Sequence, residues 1–350
     1  MARRIAIIFG GQSPEHEISV LSARNVVDAL DDNLWTAIPL AVATDGQWLT
    51  ETHSASVLSS HKKTVENNGV SLNGVPLIES GLDILKNCTA AFPLIHGKTG
   101  EDGTLQGLLE MANIAYAGSG VSASILGMDK SLSKVIWQAA GLPIARMIVL
   151  KKESIPGSES AISTRISNEI GYPCYVKPSR GGSSIGISKV QSEKQLHQAI
   201  ALASQWDNKI LIEEFIDGQE IECAIIGNGN PKAASCLGEV SSLNNFYDYD
   251  SKYSPNSTTQ IYIPARISEN IAGKLRDLAV NAYTSIGCKG FARVDFFVNK
   301  QEQIVLSEIN TIPGFTKTSL FPRLWEASGL SYSAMLTQIL ELALHRKEGE

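Results

Sequence analysis

The sequence predicts an α/β protein with three domains, in which an N-terminal parallel-sheet domain precedes a central α+β module. Its 350 residues suffice for two or three compact domains. The apolar run Ile5–Phe9 is typical of a buried parallel strand. The strands predicted further along are separated by both short loops and helices, which favours a mixed module. We expect the domains to cover residues 1–120, 121–215 and 216–350.

The N-terminal domain begins with the strand Ile5–Phe9, and the Gly-Gly pair that follows predicts a tight turn. Ser13–Glu17 has the composition of a helix start: a capping serine, a proline in the first turn and acidic residues near the positive end of the helix dipole. Residues 51–80 are polar and weakly patterned, so they predict no element. The other predicted elements are strands at Trp35–Val42 and Ala90–Ile95 and a helix at Gly103–Ala112.

The two later domains are predicted from strand-like runs interrupted by glycine and proline. A helix through Lys130 and Trp137, ended by Gly141 and Pro143, opens the central module. Its other elements are strands at Arg146–Lys151, Pro173–Pro178 and Lys209–Phe215, a Gly/Ser-rich loop and a helix near 193–204. The last domain is predicted to hold a hairpin (Glu220–Ile226 with Pro231–Leu237), a long loop at 241–259, a helix near 268–286, strands Phe291–Val298 and Gln303–Ile309, and C-terminal helices.

Composition and charge exclude several classes of protein. The net charge of −6 provides no general field for holding nucleic acid. The five cysteines are scattered singly, which argues against a disulfide framework or a structural zinc site and predicts a cytoplasmic location. No apolar run approaches the roughly 18 residues that a membrane span needs. We therefore expect an enzyme with no membrane or nucleic-acid partner.

The last predicted hairpin carries the strongest chemical signal. Strand alternation places Arg293 and Asp295 on one face of its first strand, and Leu306, Glu308 and Asn310 on one face of its second. A pairing of residue 295 with residue 308 would bring two carboxylates and an amide oxygen together, which suits Mg²⁺. The alternatives are a solvated strand face and a simple ion pair in which Arg293 supplies the positive charge.

A second signal is a lysine at a strand end followed by a Gly/Ser-rich loop, Lys177 and then Gly181–Gly186. Such a loop can present backbone N–H groups and hydroxyls to phosphates. It does not match the Walker pattern, so a P-loop is not predicted. The alternative is a flexible surface turn.

Four weaker signals gain meaning only together. Glu213 and the groups after it end an apolar strand at an acidic turn, for which a structural role is the simpler interpretation. Glu15 lies at a helix start, where an acid can bind an ammonium group or simply favour the helix dipole. Three tyrosines in seven residues of the loop 241–259 favour a lid. His96 ends a strand, where a structural role is the simpler interpretation.

Eight ordered segments resemble the D-alanine–D-alanine ligases, members of the ATP-grasp superfamily. They lie in order and span nearly the whole chain, so the set is a strong signal although the individual acids are weak. The segments are FGGQSPEHEISVLSA (9–23), HGKTGEDGTLQGLLE (96–110), GMDK (127–130), YVKPSRGGSSIGISKV (175–190), IEEFIDGQE (212–220), FYDYDSKY (246–253), GFARVDFF (290–297) and EINTIPGFTKTSL (308–320).

The resemblance implies a three-domain ATP-grasp architecture in which ATP lies between two antiparallel sheets. It assigns ATP to Lys130, Lys177, Ser184, Glu213, Phe215, Glu220 and Lys252, with the loop 180–186 over the phosphates. It assigns Mg²⁺, as two ions and with Mn²⁺ as an alternative, to Asp295, Glu308 and Asn310. It also implies a homodimer.

The resemblance further implies two D-alanine sites and a lid. Glu15 is expected to bind the ammonium of the first D-alanine, with His96 nearby, and to form a hydrogen-bonded triad with Ser183 and Tyr253 that closes the lid. The other assignments are Arg293 and the Gly314 N–H for an oxyanion, and Ser319 with the Leu320 backbone for the carboxylate of the second D-alanine.

The implied activity is ATP-dependent ligation of two D-alanine molecules through a D-alanyl phosphate, for peptidoglycan precursor synthesis. Tyr253 resembles the dipeptide-forming ligases rather than relatives that accept D-lactate. Gly181 stands where some relatives have an acid, which matters little because the backbone meets the phosphates. Three alternatives stay open: another ATP-grasp ligase, a nucleotide-binding oxidoreductase built on Gly10 and Gly11, and a catalytically idle binding protein.

Overall fold

The computed structural model describes residues 2–60, 64, 78–242 and 259–345. Most of the predicted lid loop 241–259, with Lys252 and Tyr253, lies outside the described residues. The strands are β1 Arg3–Gly10, β2 Trp35–Val42, β3 Ala90–Pro93, β4 Met147–Lys151, β5 Cys174–Pro178, β6 Ser188–Val190, β7 Lys209–Glu214, β8 Gly218–Ile226, β9 Lys232–Ala233, β10 Gly238–Ser242, β11 Thr259–Tyr262, β12 Phe291–Asn299 and β13 Ile304–Asn310. The helices are α1 His16–Ala29, α2 Glu51–Ser59, α3 Ile78–Lys86, α4 Thr104–Met111, α5 Val121–Met128, α6 Lys130–Ala139, α7 Glu159–Glu169, α8 Glu193–Ala203, α9 Glu269–Ser285, α10 Leu320–Ala327 and α11 Tyr332–His345.

The N-terminal sheet is parallel, with the strand order β2-β1-β3. The continuous apolar run of β1 is buried on both faces, as expected for a parallel strand covered by helices. Val20 and Val26 of α1 pack into the same core as Leu336 and Ile339 of α11. The C-terminal helix therefore holds the N-terminal sheet against the last domain.

Two antiparallel sheets follow. The smaller has the order β4-β7-β5-β6 and packs against α7 and α8 through Ile166, Leu196 and Ile200. The larger has the order β11-β10-β8-β12-β13, with β9 beside β8. The helices α5, α6 and α9 pack on the larger sheet through Ala123, Trp137 and a row of apolar residues in α9. This arrangement confirms the predicted fold class, while the domain boundaries stay predictions.

The structure differs from the sequence-based prediction in several elements. α2 forms in the segment 51–80 that predicted no element, α3 begins at the end of that segment, and α7 was missed. The single helix predicted through Lys130 is two helices, because Asp129 takes an extended conformation between them and caps α6. The second strand of the hairpin predicted at Pro231–Leu237 contains only the two-residue β9.

One further difference affects the metal-site argument. The prediction that Leu306 shares a face with Glu308 and Asn310 was wrong. A bulge after Asp295 pairs Phe296 with Leu306, leaving Ser307 as the extra residue. Leu306 consequently turns into the apolar core, whereas Glu308 remains opposite Asp295. No helix among the described residues has the length and apolar character to cross a membrane.

Candidate active site

A cavity of about 570 Å³ lies between the two antiparallel sheets. Residues of β5 and β7 line one side, and residues of β8, β10, β12 and β13 line the other. Seven of the predicted site residues line it: Lys130, Lys177, Ser184, Glu213, Phe215, Glu220 and Glu308. The volume and the mixture of charged and aromatic walls suit a ligand of nucleotide size.

Two lysines converge on one buried carboxylate in this cavity. Lys134 Nζ lies 2.9 Å from Glu213 Oε1, and Lys177 Nζ pairs with Glu213 Oε2. Burial alone would raise the pKa of Glu213, but the two lysines outweigh it and lower that pKa to about 2. Burial also lowers the pKa of Lys134, which its attraction to Glu213 opposes. Lys177, predicted to bind phosphate, thus forms an ion pair with Glu213, predicted to bind adenine.

Lys130 enters the cavity from the larger sheet's side. It is the first residue of α6, and its Nζ lies 3.1 Å from Glu308 Oε2. The same ammonium donates to the Gly181 carbonyl at 2.7 Å. Burial would lower the pKa of Lys130, but Glu308 outweighs it and raises that pKa. A charged lysine therefore joins Glu308 to the glycine-rich loop.

The loop Gly181–Gly186 is held in conformations that few side chains adopt. Ser183 and Ser184 both have left-handed backbones, with φ of 52° and 59°. Strain of this kind in non-glycine residues concentrates at functional sites. A Cβ at Gly182 would lie 3.2 Å from Glu15 Oε2, so the loop reaches the N-terminal domain.

Beside that contact, two buried polar atoms have no hydrogen-bond partner among the described residues: His96 Nε2 and Ser183 Oγ. His96 Nδ1 lies 3.0 Å from the Ile312 carbonyl, which can only accept, so Nδ1 carries the proton. Burial lowers the pKa of His96, against the opposing charge of Glu15. Nε2 is therefore a free acceptor near a carboxylate, an arrangement that suits an ammonium group.

The predicted triad of Glu15, Ser183 and Tyr253 stays a prediction. The Ser183 hydroxyl makes no hydrogen bond within the part of the chain that the structure describes. Tyr253 lies outside that part. The close approach of Gly182 to Glu15 is the contact that brings two of the three residues into one neighbourhood.

Arg293 lies between two carboxylates on the face of the larger sheet. Its guanidinium donates to Asp295 at 2.8 and 2.7 Å, and its Nε lies 2.9 Å from Glu222 Oε2. Burial would lower the pKa of Arg293, but Asp295 and Glu222 outweigh it and raise that pKa. The guanidinium is permanently charged and can stabilise negative charge that develops beside it.

The predicted metal ligands share the face of the larger sheet opposite to the one on which α5, α6 and α9 pack. Asp295 pairs directly with Glu308, and Asn310 pairs with Arg293. Two carboxylates and an amide oxygen are the donors that a hard divalent cation prefers, so the set fits such an ion. Within the described ranges, no three His, Cys, Asp or Glu side chains form a metal-binding group. The metal assignment accordingly stays a prediction.

The last predicted residues lie where a loop meets α10. A Cβ at Gly314 would come within 2.6 Å of Ser319 Oγ, so a larger residue would displace that hydroxyl. Ser319 immediately precedes the helix, where N–H groups attract anions. The Leu320 side chain is buried in the core, which leaves only its backbone for a ligand.

Family comparisons cover nearly the whole chain. A family model described as the N-terminus of D-ala D-ala ligase matches residues 4–119, and one described as the C-terminus matches residues 136–341. The chain belongs to the D-alanine–D-alanine ligase family.

Individual members of this ligase family are similar over almost their full length. A D-alanine–D-alanine ligase of Ruminiclostridium cellulolyticum is 40% identical over 99% of this chain and 96% of its own. D-alanine–D-alanine ligase A of Escherichia coli is 41% identical over 98% of this chain and 96% of its own. The crystal structure of a D-Ala:D-Ser ligase from Enterococcus faecalis aligns with a TM-score of 0.81 at 32% identity, over 98% of this chain and 100% of its own.

Sequence reasoning missed three buried charged residues of this ligase-family site. Lys134 follows Lys130 by one helical turn, a spacing that places both on one face and could have identified it. Glu222 follows Glu220 by two residues in β8, which places both on one face. Glu101 accepts the Gly97 N–H at 2.6 Å, and burial, reinforced by Glu15, raises its pKa to about 8. No pattern in the sequence indicates its burial.

Proposed function

We propose that this chain joins two D-alanine molecules into D-alanyl-D-alanine, with cleavage of ATP to ADP and phosphate, as a step of peptidoglycan precursor synthesis. The observation that carries the proposal is the convergence of Lys130 and Lys177 on one cavity whose glycine-rich loop also approaches Glu15. This neighbourhood supports the proposal, in which Lys130 and Lys177 would bind the phosphates and Glu15 the ammonium group.

The first step activates a carboxylate, which is a poor acyl electrophile. An oxygen of the first D-alanine attacks the γ-phosphorus of ATP, the bond from that phosphorus to the β,γ-bridging oxygen breaks, and ADP leaves. Lys130, Lys177 and the loop Gly181–Gly186 neutralise and orient the phosphates. Asp295, Glu308 and Asn310 would hold a divalent cation, proposed as two Mg²⁺ or alternatively Mn²⁺, which supplies further positive charge to the transferring phosphoryl group.

The second step forms the peptide bond. Glu15 binds the ammonium group of the D-alanyl phosphate formed in the first step. Ser319 and the Leu320 backbone bind the carboxylate of the second D-alanine. The free amine attacks the acyl carbon, giving an oxyanion beside Arg293 and the Gly314 N–H. The carbon–oxygen bond to phosphate then breaks, and the amine nitrogen loses its proton.

Several finer features belong to the same proposal. Glu213, Phe215 and Glu220 would bind the adenosine part, and Lys252 would reach the phosphates. The loop 241–259 would act as a lid, because an acyl phosphate hydrolyses unless water is excluded. A homodimer and a cytoplasmic location complete it.

The test is phosphate release from ATP and Mg²⁺, with the products identified by mass. The substrates tested are D-alanine alone, L-alanine alone, and D-alanine paired with D-lactate or with D-serine. Release that depends on D-alanine and yields D-alanyl-D-alanine, with L-alanine inert, is the expected result. D-serine is included because a structural relative is named a D-Ala:D-Ser ligase. A mixed product in place of the dipeptide would overturn the acceptor assignment, and release with no pair would overturn the function.

A further inference from the structure

Asp129 occupies the break between α5 and α6, immediately before the phosphate ligand Lys130. Its side chain is buried and has three close partners. Its carboxylate lies 2.6 Å from Lys209 Nζ and accepts the hydroxyls of Ser179 and Ser131, each at 2.7 Å. Its Oδ1 also caps α6. Asp129, in the motif GMDK (127–130), is therefore a buried carboxylate to which no role in substrate binding has been assigned.

Two of these partners, Ser179 and Lys209, belong to the smaller sheet's side of the cavity, whereas Asp129 and Ser131 lie at the start of α6. Ser179 follows β5 and leads directly into the glycine-rich loop, and Lys209 begins β7 of the smaller sheet. α6 packs on the larger sheet through Trp137. Asp129, which caps this helix, thus connects it to Lys209 of β7 and to Ser179, the residue after β5.

Backbone hydrogen bonds strengthen the same connection. The Lys130 N–H donates to the Ser179 carbonyl at 3.0 Å, and the Ser131 N–H donates to Ser179 Oγ at 3.2 Å. The Ser179 N–H in turn donates to the Lys209 carbonyl at 2.9 Å. Lys177, two residues before Ser179, is thereby tied to Lys130 through one short network.

The network keeps its charge at neutral pH. Burial would raise the pKa of Asp129, but Lys209 and the hydroxyls of Ser179 and Ser131 outweigh it and lower that pKa. An ionised acceptor forms stronger hydrogen bonds than a neutral one.

We propose that Asp129, acting through Ser179 and Lys209, is a positioning residue that fixes Lys130 relative to Lys177 and the loop Gly181–Gly186, so that all three meet the phosphates of one ATP. The inference rests on the proposed role of these groups in ATP binding. It predicts that substitution of Asp129 weakens ATP binding and leaves D-alanine binding unchanged.

The test compares wild type with Asp129→Asn, in which an amide replaces the carboxylate beside Lys209. ATP affinity is measured with Mg²⁺ by displacement of a fluorescent ATP analogue, and the KM of each substrate by phosphate release. The Kd for ATP should rise about tenfold, as expected for one charge-assisted hydrogen bond. The KM of D-alanine should stay within about twofold, and amide exchange at Gly181–Gly186 should accelerate.

Coupling gives a second measurement. Lys209→Met should weaken ATP binding similarly, and the double variant should be no weaker than the worse single one, because both remove the same contact. Lys209→Arg, which keeps a cation, should restore most of the affinity. Fully additive losses would overturn the proposal.

The control is Glu169→Gln, which removes the exposed Arg165–Glu169 ion pair in the same module and should leave the Kd for ATP unchanged. If Asp129→Asn does not fold, Ser179→Ala removes the bridging hydroxyl instead. A lowered Tm with an unchanged Kd for ATP, or equal losses for ATP and D-alanine, would overturn the positioning role. Because the Kd for ATP is measured without D-alanine, that measurement stands apart from failure of the ligase activity.

Discussion

Glu213→Gln tests whether the charge cluster in the cavity holds the two sheets together. Glu213 is buried between Lys134 and Lys177, and its pKa falls from 4.5 to about 2. Each tenfold change in proton affinity corresponds to about 1.4 kcal/mol, so the ionised carboxylate contributes about 3 kcal/mol to the free energy of unfolding. Removing it also leaves the buried ammonium of Lys134 without its counter-charge. The loss at pH 7 should therefore be about 3–5 kcal/mol.

The pH dependence fixes the sign of this effect. A carboxyl whose folded pKa lies below its unfolded value contributes stability above the unfolded value and loses it as pH falls towards the folded one. Urea titrations should thus give a constant difference between wild type and Glu213→Gln from pH 7 to about 5. The difference should shrink only below about pH 4.5.

The neighbouring residue supplies the control. Glu214 is in the same strand but pairs with Arg146, whose side chain is 62% exposed. Glu214→Gln should cost at most about 1 kcal/mol, because the partner Arg146 is largely exposed and solvent screens its attraction to Glu214. Equal losses in the two variants, or a Glu213 effect that disappears between pH 7 and 5, would refute the reasoning.

Three further predictions follow from the site. Asp295→Asn or Glu308→Gln should abolish most turnover by weakening divalent-cation binding, which a Mg²⁺ titration of phosphate release checks; wild-type rates in both would remove the metal assignment. Tyr253→Phe should raise the use of D-lactate relative to D-alanine at lower pH, as measured by product mass, and an unchanged ratio would separate Tyr253 from acceptor choice. Glu101→Gln should remove one source of pH-dependent stability, because burial raises the pKa of Glu101 to about 8 in the folded protein. The free energy of unfolding of wild type, relative to that of the variant, should fall as pH rises from about 4.5 to about 8, as urea titrations would show. Parallel stability curves would contradict that last prediction.

The sequence predicts well where a signal is local. Strand alternation and the hairpin length predict the Asp295–Glu308 pairing, and the apolar run Ile5–Phe9 predicts the parallel sheet. It fails where partners are distant in the chain. The bulge after Asp295 depends on how β13 packs, so alternation alone misplaces Leu306. Glu101 looks like any acid in a polar loop, and only the folded chain surrounds it with protein.

The carboxylates of the larger sheet are better explained by function than by stability. Glu222, Asp295 and Glu308 are directly opposed on three adjacent strands, so three like charges stand in one row across the sheet. Opposed like charges destabilise a sheet, and burial of two of them adds a desolvation cost. Arg293 offsets Glu222 and Asp295, and Lys130 offsets Glu308.

Each of those cations is also a predicted partner of negative charge on the substrates. When a phosphate or an oxyanion attracts Lys130 or Arg293, the carboxylates left behind need a replacement cation, and a divalent ion bound by Asp295 and Glu308 would supply it. A sheet selected only for stability would carry apolar pairs at these positions. The row of acids therefore argues for a surface whose charge is completed by ligands, in agreement with the proposed ligase.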